Sequence, residues 1–358
     1  MRNALNSVWT LLALALGAVV SVAGTVGGYH PLKTVHPPVD IYPHEVSRSS
    51  PGGWDYCIVD AIGRRLYASH GNHVVVMDVD SDALIGKVDK TPGVHGIAIA
   101  PELGRGFTSN GQANTSTIFD LKTMAVIGEV KLIGVNPDSI VYDPATKRVF
   151  VFNGKHALSN ATVIDAQEGK VLGKIDLGGN PEFAASDGKG HVFVDLVDKN
   201  KVLTIDSRKM TPGESWGVGT CKHPSAMAID RAHDRLFVGC ENKQMVALDS
   251  TNGHTVATIA IGEGDDALAF DTESSLLFSS NGDDGTVTVI HEDSPNTYRV
   301  VETVKTANGA RTMAVDSKTH KIFLPLADRG PAPSPTPQNP DPDGPVIRGS
   351  FRILIFGM

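Results

Sequence analysis

The chain is poor in aromatic residues, at 6% of 358, and holds only three cysteines and three tryptophans. Few indoles leave little for stacking bases. Lysine and arginine (32) are outnumbered by aspartate and glutamate (40), which removes the basic groove that nucleic acids need. No stretch after the N-terminus keeps a 3.6-residue apolar period over three turns, so helices are not expected. No Gly-x-Ser-x-Gly elbow, Cys-x-x-Cys-His attachment or phosphate loop occurs. A covalent hydrolase, a c-type haem protein and a P-loop nucleotide binder are all disfavoured.

What the chain does have is a repeat. Asp60, Asp143, Asp187, Asp230, Asp271 and Asp316 each close an apolar run, with Ala100 standing in once, at intervals of 40, 43, 44, 43, 41 and 45 residues. Periods of this size mark stacked structural units. Residues 224 to 264 read as four short strands, Ala226 to Asp230, Arg235 to Cys240, Gln244 to Asp249 and Thr255 to Ile261. They are rich in Val, Ile, Leu, Thr and Phe, with Gly, Asn and Asp between them. Four strands per unit is the pattern of a β-propeller blade, so the fold is expected to be an all-β, seven-bladed propeller. The seventh unit lacks its fourth strand, and "HPLKTVHPP" (His30 to Pro38) stands unpaired before the first. That segment is expected to complete the last blade and close the ring, removing a bare sheet edge.

Residues 1–23 carry Arg2, an apolar run and small residues at Ser21 and Ala23. They read as a signal peptide cut after Ala23; the run is short for a membrane anchor and no basic stop-transfer patch follows. Removing Arg2 moves the formal charge from −8 to −9. The remainder, 24–358, reads as one domain without a membrane span, exported to the periplasm or secreted, and monomeric. In that setting Cys221, just before a first strand, and Cys240, ending the adjacent second strand, are expected to form a disulfide. Cys57 reads as a buried small apolar residue.

"RLYASHGNHVVVMDVD", "KRVFVFNG" and "DRLFVGCENKQMVALDSTNGHTVATIAIG" carry a resemblance over almost the whole chain. Together with "ATVIDAQEGKVLGKIDLGGNP" they match a pattern of a strand ending in Tyr-Val-Ser or a relative, then Val-x-Val-Ile-Asp, then a valine-rich fourth strand closing on Gly-x-x-Pro. In these features the sequence resembles the YncE-like, YVTN-repeat group of bacterial seven-bladed propellers. The resemblance implies an extracytoplasmic binding or scaffold module and brings no shared catalytic triad. Relatives of the wider fold include lactonases and haem-bearing reductase domains.

Each innermost strand starts at one mouth of the channel, so the corner residues form a ring there. Aligned on the repeat they are Asp55, His95, Asp138, Glu182, Ser225, Asp266 and Arg311. Asp55, Asp138, Glu182 and Asp266 are candidates to hold a hard cation such as calcium, a polyhydroxylated ligand or a cationic one. Arg311 would neutralise a carboxylate or hold an anionic group. A solvated channel mouth lined with acids is the plain alternative. His70 and His95 could pair at a transition metal. Between the second and third strands of the last unit, 328–350 holds seven prolines from Pro331 to Pro345. It is expected to hang beside the mouth as an extended loop, or as a strap for a partner.

Three functions compete. The first is a non-catalytic module binding a small ligand, ion or protein partner at the channel face. The second is a metal-assisted lactonase or sugar-ester hydrolase. The third, nucleic-acid binding, is opposed by the acidic charge.

Overall fold

The computed structural model describes residues 28–38, 53–154, 158–336 and 344–358. Residues 1–23 and the central prolines of the insertion lie outside them. Seven four-stranded antiparallel sheets stand in a ring. The first strand of every blade touches the first strand of the next, and blade 7 touches blade 1. The chain is a seven-bladed β-propeller. Among the described residues, no helix is long and apolar enough to cross a membrane.

The ring closes as the sequence predicts. His30–Val35 is the outer strand of blade 7, pairing with Arg352–Gly357, which pairs with Lys321–Leu326 and that with Ala314–Asp316. Strand bounds in blade 5 shift by a residue or two from the sequence reading, to Pro224–Asp230 and Thr255–Ala260.

The sparse aromatics have a place of their own. The third residue of every second strand is aromatic: Tyr67, Phe107, Phe150, Phe193, Phe237, Phe278 and Phe323. All seven are at most 1% exposed. Each packs between neighbouring sheets, where burial of such a side chain contributes roughly 1.5–3 kcal/mol. The outer strands instead alternate exposed and partly buried residues, as in Lys170–Asp176.

A second repeated device latches blade to blade. In five of the seven blades the residue opening the second strand reaches the outer hairpin of the next blade. Arg65 donates to the carbonyl of Lys122 at 3.0 Å, Arg105 to that of Ala166 at 3.0 Å, Arg148 to that of Arg208 at 2.8 Å and Arg235 to that of Pro295 at 2.7 Å. Lys321 makes the same step from blade 7 to blade 1, donating to the carbonyl of Val79 at 3.2 Å and to Asp82 at 2.7 Å. Arg64 adds a two-pronged bond to Asp316, both arms at 2.6 Å.

The aspartates that mark the period have a job in the turns. Asp60 Oδ1 accepts the amides of Ile62 and Gly63, and Asp187 Oδ1 those of Lys189, Gly190 and His191. A carboxylate capping its own turn is why the residue recurs.

Cys221 and Cys240 are bridged, with their Cα atoms 5.7 Å apart. Pro224 pairs with Cys240 in the blade 5 ladder, which brings the two cysteines together. Cys57 is a free cysteine, partly buried, and its thiol faces the carbonyl of Phe323 at 3.8 Å.

Candidate functional site

The innermost strands bring the corner residues to one rim. Five of the seven ring positions form a continuous chain of alternating charge across blades 6, 7, 1, 2 and 3. Arg311 Nη1 donates to Asp266 at 2.6 Å, and its Nη2 to Asp55 at 3.3 Å. His95 Nδ1 donates to the other Asp55 oxygen at 2.7 Å and faces Asp138 at 3.6 Å. Burial opposes charge on His95, but the bond to Asp55 and the charges of Asp138 and Asp55 outweigh it, lifting its pKa to about 9. His95 is therefore an imidazolium at neutral pH. Burial likewise opposes charge on Arg311, and Asp266 and Asp55 hold it charged.

The other two ring positions differ. The Ser225 hydroxyl donates to the carbonyl of Asp265 at 2.8 Å and is buried, a structural bond. Among the described residues, no hydrogen bond or ion pair holds the Glu182 carboxyl. Burial, then the charges of Asp138 and Asp266, push its pKa well above the usual carboxylate range.

Two further acids lie behind the ring, and the repeat alignment passes over both. Asp195 stands next to last in its second strand, where Ser69, Ser109 and Ser280 stand in blades 1, 2 and 6. Ser69 and Ser109 each accept one corner amide. Asp195 Oδ1 accepts two, from Glu182 at 3.1 Å and Phe183 at 2.7 Å, while its Oδ2 is buried with no partner. Asp265 packs against Gly239, where any Cβ would strike its Oδ2. Burial raises the pKa of both well above normal. Comparing the serine column between repeats would have revealed Asp195.

Tyr56 bars the channel. Its phenol donates to the carbonyl of Glu182 in blade 4 at 3.2 Å, and its ring meets Phe183 edge-on at 5.2 Å. On one side lies an apolar cavity of about 460 Å³ walled by Ile58, Ile97, Ile140 and Met313. The mouth holds a separate cavity of about 770 Å³. Glu241, Glu263, Asp265, Asp266, Asp283 and Asp328 line the mouth against two cations, Arg311 and Arg329.

Arg329 comes from the proline-rich insertion. Its guanidinium lies 4.7 Å above the Trp54 ring, a cation–π contact at the rim. The legs of the insertion pair, with Gly330 donating to Pro345 and Ile347 to Asp328, both at 2.8 Å. The base of the expected loop is thus folded against the mouth.

His70 does not pair with His95. It is buried, stacks on Phe351 at 4.0 Å and shares a hydrogen bond with His73 at 3.2 Å. Burial and the His73 charge lower its pKa to about 3. Asp55, His95 and Asp138 each offer a ligand atom within 4.8 Å of the others. A metal ion there would have to displace the His95 proton and compete with Arg311 for Asp55.

No protein-family model matches the chain, and no curated protein sequence is similar to it. Solved structures are similar in fold. A hydrazine synthase chain of Kuenenia stuttgartiensis superposes with a TM-score of 0.67 at 15% identity, over 78% of this chain and 94% of that one. A chain of a mitotic checkpoint complex superposes with a TM-score of 0.71 at 12% identity, over 99% of each. At these identities the likeness is one of fold.

Proposed function

We propose that this propeller is an exported, non-catalytic binding module whose acidic mouth takes a small organic amine. The observation that carries it is Glu182, the ring carboxyl that no arginine or histidine hydrogen-bonds, close enough to Asp266 in the wall of the mouth for that charge to act on it. An ammonium group seated against Glu182 supplies the missing positive charge. A mouth of about 770 Å³ suits a ligand of many atoms better than a bare ion. Export is supported by the signal-peptide pattern of residues 1–23 and by the disulfide, which persists in oxidising compartments. Membership of the YncE-like, YVTN-repeat group fits the fold and rests on the repeat motifs.

The hydrolase reading is weaker, because Asp55 and Asp138 are already committed to His95 and Arg311. Calorimetric titration with spermidine tests the proposal. Binding that weakens at least about tenfold in Glu182→Gln, a loss of about 1.4 kcal/mol, supports it. Unchanged binding in that variant, or none by the wild type, counts against it.

A further inference from the structure

A second cluster lies on the opposite face, between blades 5 and 6. First strands run away from the mouth, so Asp230, ending Pro224–Asp230, lies far from the ring described above. His233 follows in the turn, and its Nδ1 faces Asp230 Oδ2 at 2.5 Å. Glu292 arrives from blade 6. There the two outer strands, Thr286–Ser294 and Thr297–Lys305, are nine residues long, against six or seven in blades 1 to 5. The extended hairpin reaches across to blade 5, where Arg235 donates to the Pro295 carbonyl at 2.7 Å and to Asn296 at 2.9 Å.

Asp230 and Glu292 are 2% and 7% exposed. The Glu292 Oε2 is buried without a hydrogen-bond partner, which an ordinary surface acid avoids. Asp230 Oδ1 is used by the Ala232 amide, which leaves its Oδ2 directed at His233. One ligand atom from each of Asp230, His233 and Glu292 lies within 4.8 Å of the other two. Two carboxylates and an imidazole make a donor set of the kind borderline divalent metals take.

We infer that Asp230, His233 and Glu292 form a zinc-class divalent metal site that clamps blade 5 to blade 6. The carboxylates are fixed by the sheet and its turn. His233, its side chain half exposed, swings to bring its nitrogen to about 2 Å from the ion. The two carboxylate charges balance the ion, and the exposed side of His233 leaves a position for water. Arg235 lies nearby, with its donors committed to backbone carbonyls, Asn296 and Asp249.

The test is calorimetric titration of the chelator-treated full chain with zinc chloride. One ion per chain is expected, together with a higher melting temperature. His233→Ala and Glu292→Gln should each abolish uptake, while His95→Gln, at the mouth, should keep it. His233 is half exposed, so its variant should fold, and a metal-free melting temperature within a few degrees of wild type makes loss of uptake there a ligand effect. Cobalt should add the strong visible absorption of a four- or five-coordinate ion. Absence of zinc uptake, uptake that survives Glu292→Gln, uptake abolished by His95→Gln, or only the pale spectrum of six-coordinate cobalt would each overturn the inference.

Discussion

The phenol of Tyr56 in blade 1 and the backbone carbonyl of Glu182 in blade 4 lie 3.2 Å apart across the channel. One hydrogen bond therefore ties distant blades at the wall of the apolar cavity that Tyr56 lines. Tyr56→Phe should cost only about 1 kcal/mol, the net worth of a hydrogen bond. Tyr56→Ala should cost about 3–5 kcal/mol, because the ring's packing on Phe183 is lost as well. Urea denaturation of both variants checks the order, and equal costs would contradict it.

Glu182 and Asp195 make stability depend on pH in a stated direction. Their folded pKa values are raised, so the protonated forms contribute stability that is present at low pH and lost as pH rises. Glu182→Gln and Asp195→Asn should melt higher than wild type at pH 8. The gain should shrink away as pH falls below the ordinary values, 4.5 for Glu182 and 3.8 for Asp195. Thermal melts across that range decide it.

His95 works in a different window. Its pKa rises from 6.5 to about 9 on folding, so its contribution is complete below pH 6.5 and lost as pH climbs toward 9. His95→Gln should lower stability below pH 6.5, where that contribution is complete, and flatten the profile between 6.5 and 9. A profile identical to wild type would refute the Asp55–His95–Asp138 pairing.

The disulfide closes a loop between residues 19 apart, and should contribute about 3 kcal/mol by restricting the unfolded chain. Cys221→Ser with Cys240→Ser should lower the unfolding free energy by that amount. Non-reducing peptide mapping of the wild type should find one alkylatable thiol, Cys57. Three thiols would exclude the bridge.

Deleting residues 1–38 should destabilise every blade at once, since it strips the outer strand from blade 7 and exposes the Arg352–Gly357 edge. A melting temperature equal to that of the full chain would contradict the closure.

The repeat was legible because most blades use a similar turn cap and all use similar apolar runs; Asp60 and Asp187 mark it through amides of their own turns. The cysteine bridge was legible for a related reason, since adjacent strand ends meet within one blade. The order of charges at the mouth was not. Arg311 and Asp55 are 256 residues apart and become neighbours only when blade 7 meets blade 1. Asp265 sits one step off the corner column and packs on Gly239, and Asp195 stands in the serine position of its second strand, neither of which the corner alignment includes. Tyr56 bars the channel because of its length, which no period in the sequence encodes.

The central claim is that an ammonium ion binds at the mouth and ionises Glu182. Calorimetric titration with spermidine at pH 7, repeated in buffers of different ionisation enthalpy, counts the protons exchanged on binding. The account predicts net proton release by the wild type that disappears in Glu182→Gln. Absence of binding, or binding with the same proton count in both proteins, would contradict it.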